Sequence, residues 1–216
     1  MIGPKSSSQT RYASGTQRLT GMALFVALAI ILNFLVRVPF FVPAANFLLL
    51  EVWEIPLVAA LLLFGVRAGL LVAIVNTVIL FFIGSPGPPS GPFYNLAAVA
   101  LTFSGVIIGH GVATRLKLTL SGMIVLATVF AVSLRVTGMT VINYVFDPLP
   151  PPIGLAYPLQ VIVPLLPAIA LFNATIVLYT VPISYWIIKE VASRYRIKTV
   201  FALPEKSQPI VSGQSK

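Results

Sequence analysis

Long apolar runs, separated by short polar or proline-rich joints, set the plan of the chain. Residues 19–36, 68–83, 93–113 and 165–188 contain no Asp, Glu, Lys or Arg, and residues 122–146 contain one such residue, Arg135. A membrane-crossing helix needs about 20 mostly apolar residues, so the pattern predicts helices over these five stretches. A sixth run, 55–64, is too short to span alone. It reaches the required length only if 48–53, with Glu51 and the aromatic Trp53, continues the same helix. The stretch 48–82 is the centre of this plan: two apolar segments joined at Phe64-Gly65-Val66-Arg67-Ala68-Gly69, with Glu51 and Glu54 just ahead of Ile55-Pro56. Pro56 suits a first helical turn, and Glu54 suits the positive end of the helix dipole. The expected fold class is an all-α integral membrane protein of six transmembrane helices. Residues 1–18 read as a disordered cytoplasmic tail, 19–190 as one six-helix substrate-binding membrane domain, and 191–216 as a basic, polar cytoplasmic tail.

Composition sharpens this. The chain of 216 residues is 58% hydrophobic and 9% charged, with mean hydropathy +1.00; soluble domains carry about 25% charged residues. A sizeable soluble domain is excluded. The net charge of +9 could suggest nucleic acid, but no soluble basic fold remains to bind it. The cations instead sort by side. Lys5, Arg11, Arg18, Arg67, Arg115, Lys117, Lys189, Arg194, Arg196 and Lys198 fall at the tails and alternate joints, and Arg37 stands alone on the other side. The positive-inside rule then places both termini in the cytoplasm. The first apolar run exceeds the 7–15 residues of a signal-peptide core, which favours a retained helix. With no cysteine, disulfides, thiol nucleophiles and thiolate metal sites are excluded. No internal repeat of the kind found in secondary transporters is visible.

Catalytic equipment is sparse. His110 is the only histidine, and neither a His pair at metal spacing, a Gly-x-x-x-x-Gly-Lys phosphate loop nor a Gly-x-Ser-x-Gly elbow occurs. No enzyme activity and no metal are expected, and His110 reads as an interfacial residue. The informative groups are polar side chains inside the helices, because each costs free energy in lipid and tends to face a cavity or a partner. Arg135 lies about 11 residues from the outer end of its helix, or ~16 Å at 1.5 Å per residue. It can pair with a glutamate of the second helix, hold an anionic or carbonyl-rich ligand, or snorkel to the inner side. Asn143, Asn173, Asn76 and Asn95 can bond neighbouring helices or a ligand. Glu54 can cap its helix or line a pocket mouth, with Glu51 beside it. Trp53, Phe40, Phe41, Phe93 and Tyr94 can form an interfacial belt or a pocket wall. The loops 37–46, 84–92 and 149–158 can make a stiff, uncharged lid. Ala23 and Ala27, four apart, make a groove for close helix packing, within the bundle or against a partner.

Four stretches together resemble the substrate-binding S-components of energy-coupling-factor (ECF) vitamin transporters, particularly their riboflavin-binding branch. They are Ala23-x-x-x-Ala27; LEVWEIPLVAALLLFGVRAG at 50–69; Ile142-Asn143-Tyr144; and 166–174, similar to the family's Ile-Pro-Phe-Asn. The resemblance implies a multi-pass cell-membrane protein that binds a vitamin from outside, with the vitamin as cargo and no resident cofactor. It implies docking through Ala23 and Ala27 onto a transmembrane coupling protein driven by two cytosolic ATPases, and no nucleic-acid partner. It carries ligand contacts onto Asn143 and Asn173. The expected activity is riboflavin or flavin uptake; the alternatives are another vitamin or cofactor precursor, or, in a different class, a stand-alone secondary transporter. Two departures stand out. The riboflavin branch has Asn-x-x-Lys in the last helix where this chain has Asn173-Ala174-Thr175-Ile176, and its Phe-Gly-Pro is Phe64-Gly65-Val66 here. Arg135 is an extra intramembrane cation.

Overall fold

A computed structural model describes residues 13–41, 48–84, 89–195, 197–201 and 203. Residues 1–12 and 204–216 of the expected tails, and 42–47 and 85–88 of the expected loops, lie outside the described residues. The elements are α1 (Gly15–Leu35), β1 (Arg37–Pro39), β2 (Leu49–Glu51), α2 (Glu54–Phe64), α3 (Val66–Ile83), α4 (Gly91–Arg115), α5 (Leu120–Phe146) and α6 (Leu159–Tyr195). Among the described residues five helices, all but α2, are long and apolar enough to cross a membrane. The chain is a multi-pass membrane protein whose described residues form six helices, the shortest of them, α2, too short to span by itself.

That helix is the main correction to the expected layout. The stretch 48–53 does not extend α2. Leu49–Glu51 pairs antiparallel with Arg37–Pro39, setting Arg37 opposite Glu51. The helix is left with 11 residues, about 16 Å, roughly half the ~30 Å hydrocarbon thickness. Every one of those residues except Ile55 is buried, packed among α1, α3 and α6. A short helix inside a bundle must still satisfy its last four carbonyls, and here each has a donor. Gly65 N bonds Leu61 O at 2.9 Å, Phe201 N bonds Leu62 O at 3.2 Å and Val200 N bonds Leu63 O at 3.2 Å. The Arg18 guanidinium donates to Phe64 O at 2.7 Å.

The described parts of both flanks carry regular structure where tails were expected of 1–18 and 191–216: α1 takes in 15–18, and α6 runs on through 191–195. Helix α1 begins four residues before position 19, because Ser14 and Gln17 form a reciprocal capping box that ends the first turn cleanly. Helix α6 runs through Pro164, Pro167 and Pro182 and continues to Tyr195, after which 197–201 folds back beneath α2. His110, expected at the interface, is buried in the same region. Its Nδ1 lies 2.8 Å from the Tyr185 hydroxyl, and its ring meets Phe201 edge-on at 5.0 Å.

Two glycines have structural reasons. Gly65, with φ +90°, turns the chain between α2 and α3 in a conformation that side-chain-bearing residues rarely adopt. Gly105 lets α4 lie directly on α5: a Cβ there would strike the backbone of Phe130 and Ala131. Gly105→Ala should therefore lower thermal stability in detergent by about 1–3 kcal/mol, the usual cost of overpacking. Gly111→Ala, where a Cβ meets nothing within 4 Å, should leave it unchanged or raise it slightly through helix propensity. Equal melting temperatures for the two variants would refute this account of the α4–α5 contact.

Candidate functional site

Three residues of α5 and the residue that caps its end recur at intervals of four: Arg135, Met139, Asn143 and Asp147. That spacing stacks them on one helical face, and all four line a cavity of about 440 Å³, within the size range of small-molecule sites. From Arg135 to Asp147 the helix rises about 18 Å, so the cavity has a deep end and an outer end of different chemistry.

At the deep end, Arg135 (3% exposed) meets Glu54 (4% exposed) as a two-pronged ion pair. Its Nη2 donates to Glu54 Oε1 at 2.8 Å and its Nη1 to Oε2. Nη1 also donates to Thr102 Oγ1 at 3.1 Å, and Nε donates to Asn173 Oδ1 at 2.9 Å. The acceptors are fixed in turn. The Thr102 hydroxyl donates to Ala98 O, and the Asn173 amide nitrogen donates to Ile169 O at 2.9 Å. Of the three roles open to Arg135 in the sequence, pairing with a second-helix glutamate is the one the geometry displays, and α2, α4, α5 and α6 all contribute to it. Glu54 is the first residue of its helix but makes no capping bond with its side chain.

Nearer the mouth, Glu51 is held by Trp53 Nε1 at 2.6 Å and by Arg37 Nε at 3.2 Å, and Arg37 is anchored to Asn33 Oδ1 at 2.9 Å. Burial pushes Glu51 up to about 7, with Trp53 and Arg37 pulling it back and Glu54 adding to the rise. The outer end is different. Asp147 is 0% exposed, and neither of its carboxylate oxygens has a hydrogen-bond partner. The hydroxyls of Ser90 and Tyr94, which also line the cavity, are buried and unpartnered too. Burial raises Asp147 to about 6, and the nearby Tyr94 hydroxyl lowers it somewhat from outside hydrogen-bond geometry. Only the backbone of Asp147 is engaged: its carbonyl accepts from Leu155 N at 3.0 Å, folding the proline-rich loop back so that Leu155 joins the cavity wall.

Trp53, Glu54, Asn95, Arg135, Asn143 and Asn173 all line this cavity. Asn76 does not: it is buried in α3, with its Oδ1 unpartnered. Asn143 is 6% exposed, and its amide nitrogen donates to Met139 O at 2.7 Å. Among the expected aromatic residues, Phe41 and Phe93 face outward, whereas Phe40 is buried against Phe172 at 5.5 Å. Sequence reasoning missed Thr102, Phe172, Ser90 and Asp147, and it read Tyr94 only as ring surface. The one available signal was Asp147 itself, a carboxylate at the outer end of an apolar helix. Ala23 and Ala27 are exposed on α1. Among the described residues no three of His, Asp and Glu converge where a metal could bind.

No protein-family model matches the chain, and no curated protein does. Among solved structures, the chain is similar to the S component of a bacterial ECF transporter. The match has a TM-score of 0.63 and 23% identity, and it covers 83% of this chain and 97% of that one. The chain shares the fold of that S component.

Two outcomes follow from this geometry. Removing one partner of a buried pair strands the other charge and costs roughly 3–5 kcal/mol. Glu54→Leu and Arg135→Met should each destabilise by about that amount in detergent. The double variant should recover much of the loss, and purely additive losses in the cycle would rule the pairing out. Second, Glu51 and Asp147 hold protons in the folded state at pH values where the unfolded chain has released them. The slope of stability with pH is then negative: the unliganded protein loses stability as pH rises from about 4 to about 7, and levels off above. Asp147→Asn should remove the part of that loss ending near 6, and Glu51→Gln the part ending near 7. A melting temperature that climbs over this range would contradict the assignment.

Proposed function

We propose that the chain is the high-affinity vitamin-binding membrane subunit of an ATP-driven ECF importer, with riboflavin or another flavin as its first candidate ligand. The observation that carries this reading is the cavity. It is enclosed within a bundle that shares its fold with an S component. It also combines aromatic walls from Trp53, Tyr94 and Phe172 with the amides of Asn95, Asn143 and Asn173. Apolar walls with a few placed polar groups are what a small-molecule site requires. In this reading the vitamin is the cargo, no cofactor is resident, and Asn143 and Asn95 meet its polar edge. Asn173 acts mainly by orienting Arg135. The position where the riboflavin branch carries lysine is Ile176, which lines the cavity. The guanidinium of Arg135 is the one cation on that lining among the described residues.

All six helices lie in the cell membrane in this reading, with α2 enclosed by the others and both termini cytoplasmic, as the distribution of Lys and Arg favours. The exposed Ala23 and Ala27 are the docking face for a transmembrane coupling protein worked by two cytosolic ATPases, since the sequence has no phosphate loop of its own.

The test is the absorption spectrum of the purified protein followed by riboflavin titration against tryptophan fluorescence. Trp53 lies in the cavity wall, whereas Trp186 is 63% exposed. Saturable quenching at one ligand per chain, retained in Trp186→Phe, is the expected result. Asn143→Ala should weaken binding about tenfold, the loss of roughly one hydrogen bond of 1–1.5 kcal/mol. A colourless protein that ignores riboflavin removes the flavin, and thiamine, biotin, pantothenate, niacin and folate are then screened in the same assay. Ala23→Trp with Ala27→Trp should leave binding intact and abolish ATP-dependent uptake on co-expression with the coupling module. Uptake that persists without that module would favour a stand-alone secondary transporter.

A further inference from the structure

The outer end of the cavity contains a charge that the protein leaves unanswered. Three carboxylates line the cavity, Glu51, Glu54 and Asp147, and one cation, Arg135. Arg135 is taken by Glu54, and Glu51 is answered by Arg37 from the rim. The Asp147 carboxylate has no cation among the described residues and no hydrogen bond of ordinary geometry, although it is completely buried; the hydroxyl of Tyr94 lies beside it. Burying a carboxylate without partners is among the most unfavourable arrangements available to a side chain. The hydroxyls of Ser90 and Tyr94, both on the same lining, are unpartnered as well. Three polar groups, Ser90 and Tyr94 from the α4 start and Asp147 from the α5 end, thus gather in one place with only the Tyr94–Asp147 proximity between them. Buried polar groups in folded proteins nearly always have partners, so their shared vacancy points to a partner that arrives with the ligand.

An ionised carboxylate only accepts hydrogen bonds, while each hydroxyl donates one and accepts others. The complementary group is rich in donors: a chain of hydroxyls, an amine or an N–H edge. An anion in that position would meet a like charge in a desolvated setting and would be rejected. We propose that Asp147, with Ser90 and Tyr94, forms the subsite that receives the donor-bearing end of the ligand and discriminates against ligands carrying a phosphate or carboxylate there. This deepens the vitamin-binding reading and rests on it, but it does not depend on the vitamin being a flavin.

The test uses the full-length protein in detergent and its Asp147→Asn and Ser90→Ala variants. The probes are riboflavin, its 5′-phosphate, lumiflavin (which lacks the hydroxyl chain), thiamine and biotin, and the readouts are Kd and melting temperature. Asp147→Asn should melt higher than wild type without ligand, because it removes an unpaired buried charge, yet bind riboflavin more weakly. Hydrogen bonds to a charged group correspond to about 10–100-fold in Kd. Wild type should prefer riboflavin to its phosphate and to lumiflavin, and Asp147→Asn should narrow both preferences. Ser90→Ala should shift the same ratios less.

If thiamine binds where no flavin does, and Asp147→Asn weakens it, the subsite stands and the flavin assignment falls. Wild-type affinity and selectivity in Asp147→Asn would overturn the proposal, as the carboxylate would then be answered by water alone. Equal binding of riboflavin and its phosphate by wild type, or no binding by any of the five, would overturn it too. So would an Asp147→Asn protein that melts lower than wild type and loses all probes alike, which is the signature of a structural role.

Discussion

Everything else in this bundle is arranged around a guanidinium that must be neutralised inside an apolar medium. Arg135 sits in the middle of α5 with no acid on its own helix to answer it, and the fold brings Glu54 to it from the start of α2. The remaining donors go to Thr102 on α4 and Asn173 on α6. Four helices thus share one polar node. Desolvating two charges is costly, and their attraction offsets that cost only where the geometry is good and the remaining hydrogen-bonding groups are filled. Here they are filled by residues whose own second valences are also used. The node fixes the rotation of α5, and therefore which of its faces lines the cavity.

Glu54 stands at the first position of α2, and the chain before it does not continue the helix outward. Leu49–Glu51 instead pairs with Arg37–Pro39 as a two-stranded ribbon, β1 with β2, that satisfies backbone groups where the helix has ended. Helix and closed sheet are the only general solutions in lipid; other backbone is tolerated where protein surrounds it. At the opposite end, Arg18 and residues 200–201 satisfy the last α2 carbonyls. A segment too short to span is therefore held at both ends by groups outside it.

Much of this was legible in the sequence because lipid imposes a strict pattern. Five long helices follow from apolar length, and six of the seven proposed ligand residues do lie on one cavity, since a polar side chain in a membrane helix has few other places to face. What was not legible depended on long-range partners. The capping pair Ser14–Gln17 looks like ordinary tail composition. The strand at Leu49–Glu51 differs from a helix turn only through its pairing with Arg37–Pro39. Pro164 and Pro167 read as a boundary, yet α6 begins at Leu159 and carries both of them inside it. Asn76 carries the same amide as Asn143, but α3 turns it away from the cavity. Asp147-Pro148 reads as a helix stop, and nothing local reveals that the carboxylate is sealed without a partner.

The two ends of the cavity are therefore built on opposite principles. At the deep end the charges cancel one another, so Arg135 and Glu54 contribute shape and rigidity and present little unsatisfied charge to an incoming molecule. At the outer end Asp147, Ser90 and Tyr94 leave their valences open, at a cost in stability that a protein selected for stability alone would remove. Natural sequences break local rules of this kind at functional sites and compensate elsewhere. The compensation here is the self-contained node twelve residues further down α5. Because that node needs no ligand to be satisfied, the bundle can stay folded while empty. Because the outer cluster is not satisfied, a ligand that donates hydrogen bonds gains more there than it would from groups already paired. A deep charged pair can thus serve as scaffold while a shallow, unpaired carboxylate supplies the discrimination.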